Sequence, residues 1–222
     1  MTEHLAPGLS AARVLVVGAD PLLGPCVDRL RAAGALVAVV TTDQLCDRDG
    51  ADWEAASRVG ADAVVDLGDV NVVVLLTATT RPRVRFLDQD PAEMVASVER
   101  LLVTSVALNR AALDVLGHGG RIVNVVSHTG AIGASGSVVY DACQATVASL
   151  ARNMAQEVHD GGRTVVTVSV GELAGAPPDL LDRHSLGRYV EPSEVAELVS
   201  VAASTLATAF HGSVLGVTAG LE

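Results

Sequence analysis

Three polar side chains of this sequence have types and spacing that could do chemistry together. Tyr140 follows Ser127 by 13 positions, and Gln144 follows Tyr140 by four, which is about one turn of a helix. Ser127 ends an apolar run of strand length, and open α/β sheets bind ligands at the carboxyl ends of their strands. A hydroxyl, a phenol and an amide at such a place could hold a ligand by hydrogen bonds. Because an ordinary phenol titrates near pH ~10, acid–base work at neutral pH would need a positive charge nearby.

Gly18 and Gly24 bound a turn between an apolar run and a helix-like segment. Glycines at such a turn let the backbone approach a pyrophosphate, and the amides of the helix N-terminus attract its charge. Two glycines at this spacing are also typical of a tight strand-to-helix turn without a ligand. The turn therefore leaves both interpretations open.

The elements that must position these residues follow from the hydropathy pattern. Apolar runs of strand length alternate with segments of helical period along the whole chain, which predicts an α/β fold with a parallel sheet. Residues 1–222 are expected to form one domain, with 1–12 as an N-terminal extension. We predict strands over 13–17, 36–40, 63–65, 72–77, 122–126, 163–170 and 213–217, and helices over 24–33, 51–58, 91–116, 137–158 and 192–204.

Composition excludes several classes of function. All 15 basic residues are arginines, so the chain has no lysine for a Schiff base or a P-loop. The net charge of −11 argues against nucleic acid or an anionic membrane as a partner. The cysteines and histidines lack metal-ligand spacing, so no metal site is predicted. Since no segment looks like a secretory signal or a membrane span, we expect a cytoplasmic protein.

The arginines at 81, 83 and 85 form a short alternating run. We expect them to lie in a solvated loop. Alternation could instead aim all three at a phosphate or at a partner's carboxylates.

Four segments together resemble the short-chain dehydrogenase/reductase superfamily, over nearly the whole chain. Residues 120–127, Gly-Arg-Ile-Val-Asn-Val-Val-Ser, resemble the strand that ends in the family's catalytic serine. Tyr140-Asp-Ala-Cys-Gln144 falls where the family has Tyr-x-x-x-Lys. Residues 188–197 resemble its Arg-x-x-x-Pro-x-Glu-Val-Ala segment, and 217–220 stand at its closing Val-Asp-Gly-Gly. The resemblance implies a single Rossmann-like, doubly wound parallel sheet flanked by helices and shortened relative to the family.

The resemblance also implies a nicotinamide cofactor, NAD or NADP. In the family's glycine-rich turn the middle glycine is replaced by Leu22, whose side chain we expect to point toward the dinucleotide. Asp20 would add a repelling charge near the phosphates. Both changes predict weakened cofactor binding. The implied cofactor residues are Gly18, Leu22, Gly24, Thr42, Asp66, Leu67 and Ala78.

The catalytic positions implied by the resemblance are Ser127, Tyr140 and Gln144. Gln144 stands where the family's lysine lowers the tyrosine pKa and binds the nicotinamide ribose, and Leu101 stands where its asparagine supports a water relay. A neutral amide can bind a ribose, but it supplies no positive charge.

Three hypotheses follow. The leading one is a pseudoenzyme with little or no ordinary redox activity, which assembles as a homo-oligomer or as the non-catalytic partner of an active relative through helices 91–116 and 137–158. The second is a working NAD(P)-dependent oxidoreductase on a small ketone or alcohol, with Tyr140 as acid, Ser127 on the substrate oxygen and Gln144 on the ribose. The third is a non-redox enzyme or small-molecule binder that uses the same pocket.

Overall fold

One parallel sheet of six strands organises the chain. The computed structural model describes residues 8–42, 46–47, 50–51, 53–78 and 80–222. The strands are β1 (Arg13–Gly18), β2 (Leu36–Thr41), β3 (Cys46–Asp47), β4 (Gly50–Ala51), β5 (Val70–Leu76), β6 (Leu116–Ser127), β7 (Thr164–Val170) and β8 (Val214–Val217). The large sheet has the order β2-β1-β5-β6-β7-β8, and β3 and β4 form a separate antiparallel pair.

Helices cover both faces of this sheet. They are α1 (Leu23–Ala32), α2 (Trp53–Leu67), α3 (Pro91–Val98), α4 (Thr104–Val115), α5 (Thr129–Ile132), α6 (Val138–Glu157) and α7 (Pro192–Ala203). A π-helical segment, Glu99–Val103, joins α3 to α4, so the predicted helix over 91–116 is present with one irregularity. The Asp90 carboxylate caps its first turn by accepting from the amide of Ala92 at 2.7 Å.

Strand residues alternate between two hydrophobic clusters. In β5, Val72, Val74 and Leu76 pack with the apolar faces of α1 and α7, whereas Val73 and Leu75 pack with α2, α4 and α6. This period of two, with apolar residues on both sides, is what a sheet buried on both faces requires. The predicted Rossmann-like, doubly wound sheet is confirmed.

The predicted strand over 63–65 is wrong. These residues belong to α2, which extends well beyond the predicted 51–58 and leads directly into β5. Ala56 and Ala63 are buried against α4, while Val65 is 82% exposed. The apolar residues therefore follow a helical period, and this outweighs the strand preference of the two adjacent valines. The six-residue connection that the sequence implied between two strands does not exist.

The N-terminal extension is described from Gly8 onward, and residues 1–7 lie outside the described part. Leu9 is fully buried in the cluster that contains α1 and α7. Among the described residues, no helix combines the length and the apolarity needed to cross a membrane.

His184 is a buried titratable group near the carboxyl end of the chain. It follows a 3-10 segment (Pro178–Arg183), and its ring contacts Tyr189 edge to face with centroids 4.9 Å apart. Burial lowers the pKa of His184, and the nearby negative charge of Glu172 offsets this effect only in part. Burial also lowers the pKa of His128. The folded protein therefore favours the neutral form of both rings.

We expect the free energy of unfolding to fall as the pH drops below about 6.5, where histidines of the unfolded chain take up protons that His184 and His128 resist. Above that pH both states hold neutral rings, so the stabilisation is complete. His184→Phe keeps a ring against Tyr189 and should flatten part of this dependence in thermal melts between pH 5 and 8. His159→Gln, at an exposed position, is the control. An unchanged pH dependence in His184→Phe would contradict the assignment.

Candidate active site

A cavity of about 440 Å³ lies at the carboxyl ends of the central strands. Ser127 reaches it from the end of β6, Tyr140 from the first turn of α6, and Ala78 from the segment after β5. Asp20 lines the same cavity from the turn after β1. The structure thus brings together residues that lie far apart in the sequence, at the edge where open α/β sheets bind ligands.

Gln144 is not on the wall of this cavity. Its side chain is 1% exposed and lies between the ends of two strands. The Oε1 atom accepts from the Ser127 amide at 2.8 Å, and Nε2 donates to the Thr77 carbonyl at 3.0 Å. The proposed ribose contact of Gln144 is therefore not supported. Its amide instead ties α6 to the ends of β5 and β6.

The Ser127 hydroxyl belongs to a hydrogen-bonded chain that the sequence did not reveal. Its Oγ lies 2.8 Å from Thr129 Oγ1, which in turn donates to Asp141 Oδ1 at 2.5 Å. The second carboxylate oxygen, Oδ2, accepts from Ser137 Oγ at 2.6 Å. Thr129 and Asp141 are both buried. The only signal in the sequence was an aspartate beside Tyr140 in the first helical turn, where an exposed aspartate is common.

The glycine-rich turn has a different geometry from the one predicted. A side chain at Gly18 would collide with Leu76, because a Cβ there would lie 2.5 Å from the Leu76 Cβ. Leu22 is fully buried in the core and does not line the cavity, so the predicted obstruction of the dinucleotide is wrong. At Gly24 the nearest atom to an added methyl group would be Asp20 Oδ1, at 3.7 Å. The backbone around Gly24 is therefore open to a ligand.

Another cavity, of about 240 Å³, is lined by Thr42. Val17, Thr77 and Leu101 also line it, so it sits at the carboxyl ends of β1, β2 and β5. Thr42 therefore lies at the carboxyl edge of the sheet, and its contact with a cofactor stays a prediction.

Asp66 and Leu67 do not reach either cavity. They end α2, and β5 begins at Val70, so both lie near the amino end of that strand. The cavities lie at the opposite ends of the strands. The structure therefore does not bring Asp66 and Leu67 together with the other implied cofactor residues, because residues 63–65 belong to α2 and not to a strand.

Arg81 and Arg83 join two loops beside the cavity. The Arg81 side chain is 2% exposed and donates to Glu172 at 2.6 Å and to Asp179 at 2.7 Å. Arg83 pairs with the same two carboxylates. Burial acts to raise the pKa of Asp179, but hydrogen bonds to both arginines lower it overall. The expectation of solvated arginines is wrong for Arg81, which connects the loop after β5 to the loop after β7.

Comparisons with known proteins agree with this architecture. Residues 12–222 match the sequence model of the enoyl-(acyl carrier protein) reductase family. The chain is 30% identical over 233 residues to cis-4-hydroxycyclohexanecarboxylate dehydrogenase from Sinomonas cyclohexanicum, covering 96% of this chain and 91% of the relative. It is 30% identical over 243 residues to L-xylulose reductase from Bos taurus, covering 96% and 97%.

Solved structures resemble the whole fold. A short-chain dehydrogenase from Burkholderia cenocepacia, in complex with NADP, superimposes with a TM-score of 0.85 at 21% identity, covering 96% of this chain and 98% of that one. A glucose/ribitol dehydrogenase from Brucella melitensis gives a TM-score of 0.84 at 20% identity, covering 97% and 99%.

The interpretation as a pseudoenzyme is contradicted by these findings. The similar proteins are named dehydrogenases and reductases, and one structural neighbour holds NADP. The departures from the family's pattern at 22 and 144 also have another explanation. Leu22 lies in the core and Gln144 has a structural role, so neither is a sign of a failed site.

We expect Arg81→Gln to lower the free energy of unfolding by about 3 kcal/mol or more, because Glu172 would keep its buried charge and lose its closest partner. Arg110→Gln is the control, since its pair with Asp114 is more than half exposed on both sides, and it should cost under about 1 kcal/mol. Urea denaturation measures both. Equal losses in the two variants would contradict a buried role for Arg81.

Proposed function

Because the chain belongs to the short-chain dehydrogenase/reductase superfamily, we propose that it is a working NAD(P)-dependent oxidoreductase that interconverts a small ketone and its secondary alcohol. One observation carries the proposal. Ser127 and Tyr140 line the same cavity at the carboxyl ends of the strands. Both side chains can therefore hydrogen-bond one substrate oxygen, and preorganised hydrogen bonds of this kind stabilise charge that develops during reaction.

We propose that an extended dinucleotide binds along the carboxyl ends of the strands, where both cavities lie. We assign the pyrophosphate to the backbone of the turn over 18–24, where Gly24 leaves open space and the N-terminus of α1 attracts negative charge. The adenosine half would occupy the smaller cavity beside Thr42. Asp20 Oδ1 accepts from the Gly24 amide at 3.3 Å, so a bound phosphate would displace this carboxylate. When bound, the nicotinamide ring supplies or accepts the hydride.

Charge in the cavity favours a neutral substrate. Arg81 and Arg83 are each paired with Glu172 and Asp179, so these four side chains carry no net charge. Asp20 contributes one further negative charge at the cavity wall. A carboxylate on the substrate would have to compete with Glu172 for the arginines. We therefore propose an uncharged hydroxyketone or secondary alcohol as the substrate class.

Apolar side chains exposed on two long helices support a homo-oligomer. Val95 and Val98 are exposed on one side of α3, and Val103 is exposed just before α4. Val138 is exposed at the start of α6, which contacts α3. Adjacent exposed valines are typical of a surface that a second copy of the chain covers.

We expect the rate of L-xylulose reduction with NADH or NADPH, relative to its background rate, to be the higher of two rates. The other is the rate of oxidation of cis-4-hydroxycyclohexanecarboxylate, the charged probe, relative to its own background. Tyr140→Phe and Ser127→Ala should each lower kcat/KM by about 10²-fold or more, since each removes a group that holds the reacting oxygen. The control is Tyr189→Phe, which changes the other tyrosine of the sequence. The Tyr189 hydroxyl donates to the Pro177 carbonyl and is not one of the two groups assigned to the substrate oxygen, so this variant should retain activity. No dinucleotide binding by calorimetry and no turnover of either probe would refute the proposed function.

We expect light scattering after size exclusion to give a mass that is a multiple of the 22.7 kDa chain. Val95→Glu combined with Val98→Glu should shift the mass toward a monomer, because paired helices would bury like charges. Val65→Glu changes an even more exposed valine, on α2, and should leave the mass unchanged. A monomeric wild type would contradict the proposed assembly.

A further inference from the structure

The direction of the hydrogen bonds behind Ser127 follows from donor counting. An ionised carboxylate only accepts, and a threonine hydroxyl has one proton to donate. Thr129 directs that proton to Asp141 Oδ1 at 2.5 Å. Its Oγ1 must therefore accept in the 2.8 Å contact with Ser127. The Ser127 proton thus points into the protein, and its oxygen offers lone pairs to the cavity.

Two hydroxyl groups donate short hydrogen bonds to the Asp141 carboxylate. Both hydrogen bonds to its oxygens, at 2.5 and 2.6 Å, have the lengths expected for a hydroxyl that donates to a carboxylate. Ser137, which donates the second one, itself lies 3.3 Å from an Arg81 Nη1 donor. A guanidinium is thus linked to the Asp141 carboxylate through one hydroxyl, which completes a connected polar network behind Ser127.

We propose that Asp141 is the proton acceptor of this site and that Ser127 and Thr129 form the relay that leads to it. The proposal rests on the proposed function, since it concerns the alcohol that is oxidised. The substrate hydroxyl donates to Ser127 Oγ and accepts from Tyr140. As the carbinol C–H bond breaks and its electron pair leaves as hydride to the oxidised nicotinamide, a carbonyl double bond forms. The substrate proton passes to Ser127, the Ser127 proton to Thr129, and the Thr129 proton to Asp141.

Ketone reduction follows the same path in reverse, with the proton returning from Asp141. Atoms and charge balance in both directions, since Asp141 alone changes its protonation state. The relay also accounts for a site that works without lysine. The proton leaves through a buried carboxylate, so Tyr140 keeps its own proton and needs no neighbouring cation to stabilise a phenolate. Ser127 touches the substrate and is a catalytic residue, whereas Thr129 and Asp141 act through it.

Neutron diffraction from deuterium-exchanged crystals of the full chain tests the direction without any substrate. We expect a deuteron on Ser127 Oγ directed at Thr129, one on Thr129 Oγ1 directed at Asp141, and none on Asp141. A deuteron on Asp141 Oδ1, or a Ser127 deuteron directed into the cavity, would overturn the relay.

Kinetics of matched variants test the transfer itself, with L-xylulose and NADPH or NADH as the probes. Thr129→Val keeps the shape but removes the hydroxyl, and it should lower kcat by about 10²-fold or more while changing KM little. Thr129→Ser restores the hydroxyl and should recover most of kcat. Asp141→Asn, which cannot accept the proton as a carboxylate does, should match Thr129→Val. Melting temperature and dinucleotide affinity identify any variant that has failed to fold.

The outcomes separate this inference from the proposed function. One outcome is an active wild type with an inactive Ser127→Ala variant. If folded Thr129→Val or folded Asp141→Asn then keeps the wild-type kcat, the relay is wrong and the oxidoreductase proposal stands. If the wild type binds no dinucleotide and turns over neither probe, the function and the relay's catalytic role both fail. The neutron result then still decides the orientation of the Ser127 hydroxyl.

Discussion

The amide of Gln144 is the contact on which the site depends. It joins the Thr77 carbonyl at the end of β5 to the Ser127 amide at the end of β6, and it does so from inside α6. The nitrogen of a side-chain amide only donates and its oxygen only accepts, so Nε2 must face the Thr77 carbonyl and Oε1 must face the Ser127 amide. This fixes the depth and rotation of α6. As a result, Tyr140 and Asp141, which lie one helical turn before Gln144, are positioned at the edge of the sheet.

A charged side chain at this position would have a different effect. An ammonium group is a donor only, and it could not accept from the Ser127 amide. A buried cation would also repel positive charge on neighbouring groups and would favour a negative charge on Tyr140. With glutamine, a neutral side chain joins the two strand ends by hydrogen bonds. The carboxylate and guanidinium groups of the site are then Asp20, Asp141 and the four members of the arginine–carboxylate cluster.

Much of the fold could be predicted because it depends on repeated local signals. The buried valine runs of β1 and β5, and Asp90 with Pro91 at a helix start, act through their neighbours in sequence. The error over 63–65 arose because three apolar residues satisfy either period, and burial of Ala63 beside exposed Val65 became visible only with α4 in place. Placement of Asp66 depended on that error.

Prediction of the site went less far because its decisive contacts are distant in sequence. Ser127 could be placed by its strand end, whereas Tyr140, Thr42 and Ala78 were placed through the family resemblance. The burial of Leu22, the partners of Arg81 and the two ends of Gln144 depend on side-chain direction, which no sequence spacing specifies. Thr129 and Asp141 escaped notice because threonine and aspartate at helix starts are usually explained by capping.

Helix α2 occupies the place in the chain where a further strand was expected, and this has a consequence for the surface of the molecule. In the part of the chain that the structure describes, no strand pairs with the outer side of β2. Leu36 and Val39 of this edge strand are both exposed. Edges of this kind can recruit a strand from another molecule. Because β2 has only six residues, such pairing would be limited to one strand of ordinary length.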